Sequence, residues 1–355
     1  MNKILNYKRL ISTYSFLFFQ QNINAQQTFT DSIYYNISES TFANVQYDTL
    51  AKTKIQNYFN CDNNYIYQYS KPKFWNILKN VPSNIYNFGE FTIQKENIKW
   101  GALAIGSTVA IIPFDQQVLD KAGKLGNKMG GWDKDSQFDK AFRVFNIIPK
   151  NIPSAVYYIG NGGTTLLLSG VFYGIGKLNN NDLRALNTSH ELVECIFSVG
   201  VATQTIKRIT GRQSPVRALV DGNDGGAWNP FPSFKAFQSN TPNYDAMPSG
   251  HIATFMATIT IISTNYPEIR WIKPFGYSLT GLIAFNMVSN KVHWTSDYPL
   301  GLFIGYIMGK QIANRRITKI AKNSIGYNSK ENFYNVNYTT SNFLNTRLFG
   351  ASITF

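Results

Sequence analysis

The chain has 355 residues and a formal net charge of +14; hydrophobic residues make up 44% of it and charged residues only 15%, against about a quarter in typical soluble proteins. Its two cysteines, Cys61 and Cys195, exclude a disulfide framework and a cysteine-built zinc site. The basic residues are scattered and carry no nucleic-acid-binding signature, so the charge balance favours anionic lipid or a phosphorylated substrate over nucleic acid as the partner.

The N-terminus has the composition of a secretory signal peptide over residues 1–25. Lys3, Lys8 and Arg9 precede a short apolar run, and Ala25 supplies a small residue where cleavage would occur. Polar residues interrupt the apolar run, and an amphipathic N-terminal arm is the alternative. Residues 26–97, rich in Asn, Tyr, Ser and Thr, are predicted to form an extension with short helices and no functional site.

Six apolar segments of helical length occupy the predicted helical core, residues 98–314. They span residues 100–114, 155–176, 191–206, 251–264, 272–288 and 298–313. Most are shorter than the roughly 20 residues that a bilayer span requires, so a compact soluble bundle and a membrane bundle both remain open. Small residues along the helices favour the membrane, because they permit close packing in lipid. We predict an all-α, six-helix, membrane-embedded bundle, with residues 315–355 as a strand-like or disordered tail.

A Pro-Ser-Gly-His sequence, 248–251, stands at the start of the fourth segment. Ser249 can cap the helix, and Gly250 lets a ligand approach the backbone closely. The free N–H groups and the helix dipole make such a turn an anion site. His251 borders that site, where an imidazole can transfer a proton near neutral pH. The turn is therefore predicted to hold a phosphate group beside an acid.

Two further groups of residues carry possible chemistry. His293 and Asp297 lie four positions apart, one turn on a helix, so the carboxylate could hold one imidazole nitrogen and leave the other as a nucleophile or base. A simple helix-stabilising pair is the alternative. Basic residues end the third segment, where they could clamp an oxyanion or only compensate the helix dipole. They are Lys207, Arg208, Arg212 and Arg217.

In order and spacing, these blocks resemble the motifs of the type 2 phosphatidic acid phosphatase / vanadium haloperoxidase superfamily, over about residues 98–314. The resemblance implies that His293 attacks phosphorus and forms a phosphohistidine, that Asp297 orients His293, and that His251 protonates the leaving group. Lys207, Ser249 and the Gly250 backbone would hold the phosphate oxygens, because fixed cations and N–H groups stabilise charge on a transferring phosphoryl group. No metal or other cofactor is implied.

The sequence departs from the family pattern at two arginine positions. Ser214 stands where the family has Arg before Pro, and Met287 replaces the second arginine. Losing a charged donor from a dry oxyanion site costs on the order of 3 kcal/mol in transition-state stabilisation. We expect Arg212 to take over one phosphate contact, with Arg217 or Lys291 as candidates for the other.

The connection between the third and fourth segments, 217–247, is rich in aromatic residues and is predicted to be a lid that sets specificity. Packing of this loop onto the bundle is the alternative. Its Asp-Gly-Asn-Asp-Gly-Gly stretch, 221–226, suggests a calcium loop. Pro232 occupies the twelfth position, where such a loop needs Glu, so we interpret the stretch as a flexible turn.

The predicted function is hydrolysis of a phosphomonoester or pyrophosphate of a lipid through a phosphohistidine. The predicted location is the cell envelope, in a membrane with the site facing the periplasm. A soluble periplasmic acid phosphatase acting on small phosphate esters and a non-catalytic lipid-binding relative are the alternatives. These interpretations depend on one geometric expectation. His251 and His293 should face each other across a phosphate-sized hollow, with Lys207 lining its wall.

Overall fold

The computed structural model of the protein describes residues 55–132, 138–141, 145–179, 181–322, 335–343 and 346–354. The predicted signal peptide, 1–25, and the first part of the predicted extension, 26–54, lie outside the described residues.

The described chain is mostly helical. The N-terminal helices are α1 (Asn76–Lys79), α2 (Val81–Ile93), α3 (Ile98–Ile111), α4 (Asp115–Lys128), α5 (Ile152–Gly160) and α6 (Gly162–Leu178). They are followed by α7 (Leu183–Thr210), α8 (Pro215–Asp221), α9 (Phe234–Ser239), α10 (Gly250–Asn265), α11 (Ile272–Ser289) and α12 (Tyr298–Arg316). A short 3-10 helix, Thr295–Asp297, precedes α12.

All six apolar segments are helical, which confirms the mainly helical fold. The second segment differs from prediction because it is divided between α5 and α6. Asn161 adopts an extended conformation between them, and its side chain accepts a hydrogen bond from the backbone N–H of Gly163, so it caps α6. Helices α2 and α4 pack against the segments as well, so the predicted count of six helices does not describe the whole assembly.

A small antiparallel sheet, which the all-α prediction missed, joins the two ends of the described core. Strand β1 (Ile55–Tyr58) pairs with β2 (Tyr65–Ser70), and β2 pairs with β5 (Thr318–Ala321) directly after α12. Two hairpins complete the strands: β3 (Phe138–Ala141) with β4 (Phe145–Pro149), and β6 (Asn335–Phe343) with β7 (Thr346–Thr354). The last hairpin corresponds to the strand-like alternative for the tail.

Within the described residues, one helical stretch is long and apolar enough to cross a membrane. It runs over Ile98–Lys128, comprising α3, a 3-10 turn and α4. Only 22% of its most apolar window is buried against the protein. The embedding of the whole bundle in a membrane stays a prediction.

A stripe of glycines on α12 lets this helix approach α10 closely. A Cβ atom added to Gly305 would lie 2.2 Å from the carbonyl oxygen of Ala253, and one added to Gly301 would lie 2.9 Å from that of Ser249. Because no side chain separates the helices here, the start of α10 lies beside the 3-10 turn that precedes α12. The backbone N–H of Ser249 donates to the carbonyl oxygen of Asp297 at 3.1 Å across this contact.

Candidate active site

The structure brings His251 and His293 into direct contact. His251 lies in the first turn of α10, behind Ser249, whose hydroxyl oxygen accepts a hydrogen bond from the backbone N–H of Ile252. His293 lies in the turn between α11 and the 3-10 helix. His251 Nδ1 is 3.4 Å from His293 Nε2, with the ring centroids 5.6 Å apart. Two residues 42 positions apart thus form one site.

The predicted hollow between the two imidazoles is not open. At 3.4 Å the two nitrogens are within reach of a hydrogen bond, so a phosphoryl group can enter only if the rings separate. The ring of Tyr157 also packs against that of His251, with a centroid separation of 5.1 Å. The space between the two imidazoles is therefore closed by their own contact.

Asp297 holds the other nitrogen of His293. Its Oδ2 atom lies 3.4 Å from His293 Nδ1, a long hydrogen bond, and accepts a second one from the backbone N–H of Trp294 at 2.8 Å. The two residues are joined by a 3-10 turn rather than by one turn of α-helix, which corrects the predicted local structure. The contact leaves His293 Nε2 directed at His251.

Lys207 occupies the last turn of α7 and is only 6% exposed. Burial lowers the pKa of its ammonium group, and nearby Asp245 and Asp297 partly offset that effect. Asp245 is its ion-pair partner, with an Nζ–Oδ2 distance of 3.8 Å. The helix ends at Gly211, which adopts the left-handed conformation, and a Cβ there would lie 1.7 Å from the carbonyl oxygen of Asn229. This tight turn fixes where Lys207 lies.

Burial and charge act together on His251. Desolvation is the largest cause, and His293 and Lys207 add to it, so that the pKa of His251 falls to about 3. The imidazole is consequently neutral at pH 7.

Arg212 does not lie where the sequence analysis expected a phosphate ligand. Its side chain is fully buried, and its Nη1 atom donates to Asp297 Oδ1 at 2.8 Å and to the hydroxyl oxygen of Ser296. Its Nη2 atom donates to Asp115 Oδ2 at 2.6 Å and to the carbonyl oxygen of Gly225 at 3.1 Å. The four N–H groups on Nη1 and Nη2 thus have protein partners, and the remaining Nε–H is buried without a partner among the described residues.

Sequence reasoning missed Asp115. This residue begins α4, and its side chain is fully buried, where it contacts Arg212 and Ser296. The available signal was a carboxylate placed at the end of an apolar segment, directly after Ile112-Pro113-Phe114. A buried carboxylate requires a charged or hydrogen-bonding partner, but the sequence does not indicate which one.

Ser214 and Met287, which stand where the family has arginine, are both buried, and neither supplies a cation. Ser214 caps the start of α8 without a side-chain hydrogen bond, and its hydroxyl oxygen has no partner among the described residues. Met287 is part of the apolar core around Ile283 and Trp294. Arg217 forms an ion pair with Asp221 on α8, and Lys291 is exposed in the turn after α11.

The aromatic connection between α7 and α10 is partly packed and partly exposed. Phe237 is buried under Arg208, whereas Phe231 and Phe234 are 75% and 70% exposed. Trp228 lies over the guanidinium group of Arg212 at 5.0 Å. The Asp-Gly-Asn-Asp-Gly-Gly stretch forms a turn with positive φ at its glycines, and its Gly225 carbonyl contacts Arg212. Packing onto the bundle therefore describes part of this loop, and a role as a lid stays a prediction.

The fold and this two-histidine site define a helical protein with the residue types of a phosphoryl-transfer site. The family model described as the PAP2 superfamily matches residues 190–319. This match agrees with the family resemblance that the motifs predicted. Members of this superfamily are generally phosphatases that act on phosphate esters. Comparison with curated proteins gave no match, and comparison with solved structures gave none.

Proposed function

We propose that the protein is a phosphatase of the cell envelope that hydrolyses a phosphomonoester or pyrophosphate of a lipid through a phosphohistidine on His293. The observation that carries the proposal is the alignment of three side chains. Asp297 contacts Nδ1 of His293, and His293 Nε2 faces Nδ1 of His251. This order supports the proposal, because phosphoryl transfer to histidine needs a nucleophile, a group that orients it and an acid near the leaving group.

The reaction proceeds in two steps. His293 Nε2 attacks phosphorus while the ester P–O bond breaks, and a protonated His251 gives its proton to the leaving oxygen. Water then attacks the phosphohistidine, His251 takes a proton from it, and the P–N bond breaks to release phosphate. Because the lowered pKa keeps His251 neutral, this residue must take up a proton when the substrate binds. A phosphate dianion between the rings favours that protonation.

Three groups are positioned to bind the phosphate oxygens. Lys207 supplies the cation, exchanging Asp245 for the substrate. Ser249 and the backbone N–H of Gly250 lie at the start of α10, where the helix dipole favours an anion. A Cβ on Gly250 would meet nothing closer than Thr203 Oγ1 at 4.0 Å, so a ligand has room to approach this backbone.

Exposed apolar side chains support a lipid substrate and a site at a membrane. On α3, Ile98, Leu103, Ile105 and Val109 are each more than half exposed. Exposed apolar side chains recur on α6, where Leu166, Leu167 and Val171 are also more than half exposed. Apolar surface of this extent is costly in water and is covered by lipid or by another protein. We place the site on the periplasmic side.

The test is turnover of phosphatidic acid, an isoprenyl pyrophosphate and p-nitrophenyl phosphate by the wild type and His293→Ala. We expect His293→Ala to lose at least about a thousandfold in kcat, as removal of a nucleophile does. His190→Ala is the matched control, because His190 lies in α7 and bonds the carbonyl oxygen of Leu186 outside the site.

Trapping with a labelled substrate should give an acid-labile phosphohistidine in the wild type and none in His293→Ala. Equal rates for the two proteins would end the catalytic assignment. Turnover of p-nitrophenyl phosphate without turnover of either lipid would favour a small soluble substrate. Lipid binding without any phosphate release would favour a non-catalytic relative.

A further inference from the structure

We propose that Asp115 and Arg212 are positioning residues that fix the Asp297 carboxylate against His293. The inference rests on the proposed function, because it assigns to these residues the support of its nucleophile. It gives Arg212 a role other than the phosphate contact that its place in the sequence suggested, and it adds Asp115, which lies outside the family match at residues 190–319.

The three side chains form one buried chain of charges. Arg212 lies between two carboxylates, with Nη2 at 2.6 Å from Asp115 and Nη1 at 2.8 Å from Asp297. All three side chains are 0% exposed. Charge-assisted hydrogen bonds from a planar guanidinium group set direction as well as distance, so Arg212 fixes the orientation of Oδ1 of Asp297. With that oxygen held, Oδ2 remains for Trp294 N–H and His293.

Asp115 also holds the turn that carries Asp297. Its Oδ1 atom accepts a hydrogen bond from the backbone N–H of Ser296 at 3.0 Å, and its Oδ2 atom accepts one from the Ser296 hydroxyl. The same hydroxyl oxygen accepts a bond from Arg212. The 3-10 turn is thus hydrogen-bonded, through the backbone and the side chain of Ser296, to the start of α4, 181 residues earlier in the chain.

The charge balance of this group suits a reaction at His293. Asp115, Arg212 and Asp297 together carry a net charge of −1 when ionised, buried where water does not screen it. Attack on phosphorus places positive charge on the imidazole of His293. A fixed negative group behind the ring stabilises that charge as it develops, and it needs no rearrangement to do so.

Aromatic rings complete the enclosure of Arg212. Its guanidinium group lies 5.0 Å from the ring centre of Trp228 and 5.3 Å from that of Trp294. Trp294 is itself fully buried, and its indole N–H donates to the carbonyl oxygen of Gln213. These contacts favour a fixed side chain over one that moves to meet a substrate.

The decisive experiment compares kcat, KM and the inhibition constant of inorganic phosphate in Asp115→Asn and Arg212→Lys. The asparagine keeps the size of Asp115 but removes its charge, and a lysine cannot span both carboxylates as the guanidinium group does. We expect kcat to fall about ten- to a hundredfold in each variant, while KM and the phosphate inhibition constant stay within about threefold of the wild type.

Arg184→Lys is the matched control for replacing a buried arginine. Arg184 is also buried and paired, with Glu268, but lies away from the two histidines. It should leave kcat unchanged. If Asp115→Asn does not fold, Ser296→Ala removes one hydroxyl from the same group and keeps every charge. For Ser296→Ala we expect a smaller fall in kcat with unchanged KM. Asp115→Glu should recover part of the activity that Asp115→Asn loses.

A role for Arg212 in phosphate binding gives the opposite pattern: KM and the phosphate inhibition constant rise together in Arg212→Lys, and Asp115→Asn tightens phosphate binding. That pattern, or wild-type kcat in the two variants and in Ser296→Ala, overturns the proposal. His293→Ala is measured alongside. If it retains wild-type activity, the proposed function fails, whereas a dead His293→Ala with fully active Asp115→Asn overturns only the positioning role.

Discussion

At the scale of single residues, the site depends on one imidazole that is held neutral. His251 is neighboured by His293 and Lys207, both of which disfavour a positive charge on it, and burial contributes most. The two rings touch. In the proposed reaction, a bound phosphate anion must offset the effects that lower the pKa of His251 before this residue can act as an acid. Substrate binding and proton uptake are therefore expected to be coupled.

The lowered pKa of His251 also predicts how stability depends on pH. Its folded pKa of about 3 lies below the unfolded value of 6.5, so the unfolded chain binds more protons between these values. The contribution of His251 is complete above pH 6.5 and is lost as the pH falls toward 3. Between pH 7 and pH 5 the wild type should lose about 2 kcal/mol more unfolding free energy than His251→Gln. Denaturant titrations at both pH values test this, and an equal loss in both proteins contradicts it.

At the scale of helices, the contact between α10 and α12 decides where the two histidines meet. Gly301, Gly305 and Gly309 repeat every four residues along α12 and lie against the α10 backbone. The turn with His293 and Asp297 comes just before α12, and His251 comes just after the start of α10. The helix separation therefore sets the distance between the imidazoles.

We expect Gly305→Ala to be destabilising and to lower activity. The added methyl group would lie 2.2 Å from a backbone oxygen of α10. A backbone atom cannot move aside by a rotamer change as a side chain can. Overpacking of this kind costs about 1–3 kcal/mol in the free energy of unfolding. Gly281→Ala on α11 is the control, because nothing lies within 4 Å of its added Cβ, and helix propensity favours alanine there by up to about 1 kcal/mol. Denaturation midpoints and kcat of both variants give the comparison, and equal midpoints would refute the packing argument.

At the scale of the whole molecule, the described chain is a helical assembly with apolar side chains left on its surface. One such surface lies on the stretch Ile98–Lys128, which also carries Asp115 near its middle. The segment that could contact lipid thus also contacts the turn that carries Asp297. Insertion of this stretch in a membrane would then set the orientation of the site relative to the membrane.

We expect the purified protein to partition into detergent because of this stretch. Leu103→Glu together with Val109→Glu places two charges on the exposed face of α3 and should move the protein toward the aqueous phase of a detergent phase separation. Val220→Glu is the control, since Val220 is 76% exposed on α8, outside the stretch. Unchanged partitioning of the double variant would show that α3 does not contact lipid.

Much of this arrangement could be predicted from local sequence. The six apolar segments are too long for single strands, and their length indicates helices. Likewise Ser249, Gly250 and His251 form a cap and first turn whose chemistry is local. The sheet was missed because β1 and β5 are four-residue strands far apart in the chain, too short for an alternating pattern to identify.

What the sequence determined by itself is the helical structure of the six apolar segments, the order of the motif residues and their resemblance to the superfamily. Only the tertiary structure decided that Arg212 pairs with Asp115 and Asp297, and that the two imidazoles touch. The physical reason is that a buried charge takes its partner from whichever chain segment lies nearest in space. For Arg212 those partners lie 97 and 85 residues away, and no local pattern records such a distance.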